Sequence, residues 1–191
     1  MQEDVNRKVF FETKNLIIRK FELYDVQQLY ENHLEEEVRQ WIPNEYYADV
    51  EEARGAIDFY VACVNQNRLP YVLAVEFKEN GELIGDVGIC EVVNAPTDVE
   101  IGYTIRKKYA GNGYATELVQ AMTKYSYDKF GSKIIYGRVM HGNNASVRVL
   151  EKNGYAFVTE EFGTEDDTYG KGMLIYKIDS STLLDKHKNS L

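Results

Sequence analysis

Gly111 and Gly113 stand one residue apart in Lys108-Tyr109-Ala110-Gly111-Asn112-Gly113-Tyr114-Ala115-Thr116-Glu117, between a β-patterned run and an amphipathic one. Glycines at these places let the backbone come close to a ligand. The first-turn amides and the positive dipole end of the helix that follows suit an anion such as a pyrophosphate. The chemistry offered is the holding of a nucleotide-like cofactor by main-chain groups. A lone Gly-x-Gly reads equally as a tight strand-to-helix turn with no ligand. The stretch lacks the Gly-x-x-x-x-Gly-Lys-Ser/Thr of a P-loop, and it follows several antiparallel strands instead of opening a first βα unit. Both of those nucleotide folds are therefore disfavoured.

The elements around this turn follow from periodicity. Leu16 to Phe21 is β-branched and apolar, a first strand. Asp25 is placed to cap a helix carrying Val26, Leu29, Tyr30 and Leu34, ending near Glu35. Asp49 is placed to cap a second, with Ala53, Ile57, Tyr60, Val61 and Val64 on one stripe. The period then changes to two. Tyr71 to Phe77 and Leu83 to Ile89 flank Glu79-Asn80-Gly81 as a hairpin, and Asp98 to Ile105 continues the sheet. A helix over Gly113 to about Lys129 and a strand over Ile134 to Val139 complete a strand, helix, strand unit whose strands can run parallel. A short helix from Asn144 to Lys152 stops at Asn153-Gly154, and strands near Tyr155 to Glu160 and Met173 to Ile178 close the chain. The link through Gly163 to Asp167 and the end from Asp185 are polar.

Composition narrows the function. The 191 residues suit one domain, and 44% hydrophobic with 28% charged residues is the balance of a globular chain. With 31 acidic and 22 basic residues the formal charge is -9, which repels nucleic-acid phosphates and favours cationic partners. No nucleic-acid partner is expected. Cys63 and Cys90 form no Cys-x-x-Cys pair, and His33, His141 and His187 lack ligand spacing, so no metal is expected. The first residues hold no apolar signal core, and no apolar run approaches the roughly 18 residues that span a bilayer. These features fit a cytoplasmic protein without a membrane partner.

One strand beyond the glycine turn comes a second polar segment, Asn143-Asn144-Ala145-Ser146-Val147-Arg148-Val149-Leu150-Glu151-Lys152. Together the two segments resemble the GNAT N-acetyltransferases. The first is similar to that superfamily's Gln/Arg-x-x-Gly-x-Gly/Ala pyrophosphate motif, with Lys108 leading. The second is similar to the Asn-x-x-Ser variant of the ribosomal-protein alanine/serine N-acetyltransferase (Rim-type) branch, and Thr13 to Arg19 is similar to that branch's opening. The likeness runs from about Thr13 to Ile178.

The resemblance implies an α/β (α+β) GNAT domain over 13–178. Its sheet is mixed and mostly antiparallel, of about seven strands, with helices on both faces and a splayed central strand pair. An N-terminal extension (1–12) and a polar tail (179–191) flank it. It implies acetyl-CoA as cosubstrate, with the pantetheine arm between the strand ending near Ile105 and that from Ile134. Tyr103, Thr104, Ile105, Lys108, Gly111, Asn112, Gly113, Tyr114, Ala115, Asn143, Ser146, Arg148 and Lys152 are the expected cofactor residues.

A neutral amine would attack the thioester directly, with a backbone NH of the 100–105 strand polarising its carbonyl. Leu150 stands where many relatives carry the tyrosine that protonates the thiolate. Ser146 is therefore the expected donor, because a hydroxyl can give a proton to a developing thiolate. Glu100, and after it Glu160, are the expected bases. Each has a plainer reading: Ser146 as a helix-start hydroxyl, Arg148 and Lys152 as solvated cations, the two glutamates as exposed strand carboxylates. Trp41 falls where this branch varies its acceptor pocket, and also suits a core or helix end. The acceptor is an amine, a protein N-terminus or a small molecule. The alternatives are a polyamine or aminoglycoside acetyltransferase and a noncatalytic acyl-CoA-binding module. A homodimer is compatible with each.

Overall fold

The computed structural model describes residues 7–44, 46–163, 172–179 and 182. Eight strands form one sheet in the order β1-β2-β3-β4-β5-β6-β8-β7: β1 Val9–Glu12, β2 Leu16–Arg19, β3 Tyr71–Phe77, β4 Leu83–Glu91, β5 Val99–Ile105, β6 Ile134–Met140, β7 Ala156–Glu161 and β8 Met173–Asp179. The helices are α1 Val26–Leu34, α2 Glu36–Arg39, α3 Val50–Asn65, α4 Tyr114–Phe130 and α5 Asn144–Lys152. Two compact units share the chain, one of 1–88 with 103–114 and one of 89–102 with 115–191.

In the first unit β1 adds an eighth strand to the about seven expected, inside the stretch read as an extension. It pairs antiparallel with β2 across an irregular register, Val9 opposite Arg19 and Phe11 opposite Ile18. β2 pairs antiparallel with β3, Leu16 opposite Phe77 and Ile18 opposite Val75. Phe21, Leu29, Ala53, Ile57, Ala74 and Leu83 form the core where α1 and α3 bury their apolar stripes. The Asp49 carboxylate accepts from the Glu52 NH at 2.9 Å, the expected cap, a bond worth about 1 kcal/mol.

Asp25 does otherwise. Its side chain does not cap α1; both oxygens go to the Arg19 guanidinium at 2.6 and 2.8 Å, and Glu76 takes Arg19 Nε at 2.7 Å. Arg19 is 1% exposed, so the carboxylate is claimed by a buried charge that Glu76 meets only at Nε. Removing one partner of such a pair costs roughly 3–5 kcal/mol, far more than a cap returns. Burial alone would lower the Arg19 pKa; the bonds from Asp25 and Glu76 outweigh it and raise it.

In the second unit β6 pairs antiparallel with β8 over seven residues, Ile134 opposite Asp179 through Met140 opposite Met173, and β8 with β7 across a bulge between Phe157 and Thr159. β5 pairs parallel with β6 at Val99–Ile135 and Glu100–Tyr136. That register takes only the first two residues of β5, the arrangement a splayed pair leaves. Leu118, Val119 and Met122 of α4 and Ile135 of β6 are fully buried, and the Thr123 and Tyr155 hydroxyls meet at 2.7 Å. Burial raises the Tyr155 pKa, with the Thr123 bond opposing it. The link 164–171 and nearly all of the tail lie outside the described residues.

Candidate active site

In the first unit β5 runs into a single 3₁₀ turn, Lys107–Tyr109, and then into the two glycines. Gly111 and Gly113 have φ of +80° and +86°, a region that side chains with a Cβ enter at a cost of about 1–2 kcal/mol. A Cβ built on either would meet nothing within 4 Å. The space above the turn is open, and α4 begins at Tyr114, so its first-turn amides have no acceptor within the helix. Open backbone at a helix N-terminus fits a pyrophosphate.

The turn is held from below. Tyr109 is buried and its ring lies 5.3 Å from that of Phe77, while Tyr114 lies 5.2 Å from the same ring. The Tyr109 hydroxyl donates to Glu82 at 2.7 Å and accepts from Asn80 at 3.1 Å. The Asn112 amide donates to the Tyr109 and Ala110 carbonyls at 3.1 and 3.2 Å. Its side chain thus closes the turn, and what it can offer a phosphate is its backbone NH.

Sequence reasoning missed how the cations here are matched. Arg106 donates to Glu35 at 3.0 Å and Glu82 at 2.9 Å, the Lys107 NH donates to Glu35 at 2.8 Å, the Lys107 ammonium pairs with Glu37, and Lys108 donates to Glu82 at 3.1 Å. Glu35 and Glu37 are therefore partners of the turn and not merely a solvated helix end. The Tyr109 hydroxyl first, then Lys108 and Arg106, hold Glu82 below the usual carboxylate range, and Glu82 raises Lys108. The expected Lys108 is aimed at a carboxylate in this structure, in an exposed pair of the kind worth little.

Of the β5 residues, Thr104 is spoken for. Its hydroxyl donates to the Asp86 carboxylate at 2.7 Å and accepts the Asp86 NH at 3.2 Å, and His33 Nε2 meets the same carboxylate oxygen at 2.9 Å. All three are buried. Thr104 therefore offers a ligand main-chain groups only. Trp41 is half-buried one turn beyond α2, its NH on the Val38 carbonyl at 3.0 Å, so it is a helix-end tryptophan with an exposed side.

In the second unit Asn143 caps α5, its side-chain oxygen accepting the Ser146 NH at 3.1 Å. The cap places the Ser146 hydroxyl, half-buried, on the first turn of α5. It also commits the Asn143 oxygen, leaving its amide as the group for a ligand. Arg148 and Lys152 are exposed on α5 with no ion-pair partner among the described residues. Leu150 is 3% exposed, and a Cβ on Gly137 would come within 2.8 Å of it. The side chain that replaces the familiar tyrosine is thus packing α5 onto β6.

The two expected bases lie on different faces. Gly137 faces Leu150, so Arg138 points to the other side of β6, where it meets Glu161 at 2.8 Å and Glu100 at 3.9 Å. Glu160 sits opposite Leu174, on the α5 side, and bonds the His141 imidazole. His141 was not among the expected site residues.

The sheet is mixed and eight-stranded, with one short parallel register, and the chain carries a glycine turn at a helix N-terminus. The model of the acetyltransferase (GNAT) domain matches residues 15–156, and the chain belongs to that family; it is an N-acetyltransferase. It is 28% identical over 144 residues to the uncharacterized N-acetyltransferase YoaA of Bacillus subtilis (strain 168), covering 75% of this chain and 81% of YoaA. Among solved structures, a GNAT-family acetyltransferase from Bacillus anthracis is similar at 25% identity and a TM-score of 0.73, over 89% of this chain and 98% of that one. The ribosomal-protein-S5-alanine acetyltransferase of Vibrio fischeri shares the fold at 17% identity and a TM-score of 0.77, over 88% and 95%. The ribosomal L7/L12 α-N-protein acetyltransferase RimL, in complex with coenzyme A, shares it at 15% and 0.75, over 90% and 98%. Among the described residues no helix is long and apolar enough to cross a membrane.

Proposed function

We propose that the protein transfers the acetyl group of acetyl-CoA to a primary amine by direct attack, with a protein N-terminus as the acceptor. The observation that carries the reading is the open, positive-φ backbone of Gly111 and Gly113 at the start of α4. Acetyl-CoA brings the activated thioester. The amides from Gly111 to Ala115 bind its pyrophosphate, and the exposed Arg148 guanidinium and Lys152 ammonium are further cations suited to its phosphate oxygens. Lys108 can join by exchanging Glu82 for a phosphate.

The β5 main chain from Tyr103 to Ile105 pairs with the pantetheine amides and polarises the thioester carbonyl. The Asn143 amide holds the same arm. Glu100 or Glu160 takes the amine's proton, and the Ser146 hydroxyl returns one to the departing thiolate. Trp41 lines the acceptor side. The ribosomal-protein enzymes that share the fold support a peptide acceptor, and the cytoplasm is the compartment such an acceptor requires.

The charge of -9 favours a second reading, a polyamine or aminoglycoside as acceptor. Steady-state release of free CoA thiol with Ala- and Ser-starting peptides, spermidine and an aminoglycoside separates them, because binding energy remote from the amine sets kcat/KM. The peptides should exceed the small amines. A preference for spermidine overturns the peptide reading, and tight CoA binding with no turnover on any amine would make the protein a noncatalytic acyl-CoA-binding module.

A further inference from the structure

We infer that His141 is a catalytic residue, the imidazole through which Glu160 takes the proton from the acceptor amine. The inference rests on the transferase reading above and assigns its base. His141 follows directly on the last residue of β6, and five residues later, on the first turn of α5, comes Ser146, whose NH is fixed by the Asn143 cap. The proposed proton donor and the imidazole therefore sit on one short, capped connection. His141 Nε2 faces the Glu160 carboxylate. A carboxylate on one ring nitrogen fixes the tautomer with the proton on Nε2 and leaves Nδ1 as the acceptor.

The ring is placed by more than this bond. It stacks on Phe162, with centroids 6.2 Å apart and planes at 18°, and the His141 NH donates to the Gly172 carbonyl at 3.1 Å. Gly172 has φ of +93°, and a Cβ there would lie 2.9 Å from His141 Cδ2 and 3.2 Å from Phe162. Only glycine both adopts that backbone and leaves room for the imidazole. A surface ion pair kept for stability would need no such slot, being worth about 0–1 kcal/mol. The imidazole remains 39% exposed, so solvent and an amine can reach it.

The groups facing it are Glu160 from β7, Phe162 just beyond, and the Gly172 backbone ahead of β8. The other nearby charges, Arg138 and Glu161, pair with each other. In the step, an ammonium N–H proton passes to Nδ1, the imidazolium formed is stabilised by Glu160, and the freed amine lone pair attacks the thioester carbonyl. The C–S bond then breaks, the thiolate takes the Ser146 proton, the second N–H proton of the former amine restores the serine hydroxyl, and His141 gives its own proton back to solvent.

The test is the pH profile of kcat/KM for the full chain, with a Ser-starting peptide, spermidine or whichever amine the panel selects, alongside CoA binding by calorimetry. His141→Gln should bind CoA as the parent does yet lose about 100-fold in kcat/KM at pH 7, the loss shrinking at alkaline pH where the amine is already neutral. Glu160→Gln should keep CoA binding and lose at least about tenfold in kcat/KM at pH 7, because the imidazolium formed in the step loses its carboxylate partner. This second variant decides the matter if the first does not fold. A His141→Gln enzyme with the parent profile, or a Glu160→Gln enzyme with the parent kcat/KM, overturns the inference while leaving the transferase reading intact. A parent chain that binds no CoA and acetylates no amine removes both.

Discussion

At the scale of single residues, several polar groups of the two motifs are committed inside the fold: the Asn112 amide and the Asn143 oxygen bond nearby main-chain groups, the Thr104 hydroxyl bonds Asp86, and the Ser146 NH makes the α5 cap. Ser146→Ala keeps the backbone NH and hence the cap. It should lower kcat by roughly 10²–10⁴, the range of a positioned proton transfer, with acetyl-CoA affinity within about tenfold. Single-turnover kinetics beside calorimetry reads both quantities, and unchanged turnover would hand reprotonation of the thiolate to water. The roles of Glu35, Asp86 and His141 escaped the sequence for one physical reason. Their partners lie 71, 53 and 19 residues away, and no local spacing reveals a bond that only the folded sheet creates.

At the scale of elements, hydrophobic period located the hairpin, α3 with its Asp49 cap, α4, β6 and α5, because each carries an apolar stripe long enough to show its repeat. Two short elements did not show. β1 has four residues and an irregular register, and α2 is a single turn, too short for any period. Asp25 looked like a cap because capping depends on local order, and a buried Arg19 six residues earlier outbid the helix.

The glycine turn was legible as a turn, but not its anchor. Tyr109, Lys108 and Arg106 converge on Glu82 and depress its pKa. A carboxylate with a depressed folded pKa stabilises the fold above its unfolded pKa, and that contribution is lost as pH falls through the lower folded value. CoA affinity should accordingly hold through the ordinary range for a glutamate and weaken only below it, as folded Glu82 takes up its proton. Glu82→Gln should show the weaker affinity already at pH 7, with a flatter acid dependence. Calorimetry at pH 7 and below pH 4 checks this; equal affinity for parent and variant at both would reduce Glu82 to a surface carboxylate.

At the scale of the whole molecule, the family is carried by residues 15–156, and what distinguishes this chain within it is local. Leu150 is buried against β6, and the basic residues before the turn are matched by glutamates; in the proposed function the cofactor's phosphates accordingly fall chiefly to the main chain. The acceptor lies beyond what motif spacing could tell, since the shared transfer chemistry is common to acceptors of different kinds. The claim on which everything else depends is that the backbone at Gly111 and Gly113 holds coenzyme A. The direct measurement is a thermal-unfolding titration of the parent and Gly113→Val with CoA, side by side. For the parent, CoA at a hundredfold excess over its Kd should add about 2.7 kcal/mol and raise Tm, because the ligand binds only the folded state. Gly113→Val should fold with a modestly lower Tm and lose the shift, its side chain filling the space above the turn. A parent Tm indifferent to CoA, or a Gly113→Val chain stabilised as strongly as the parent, would contradict the account.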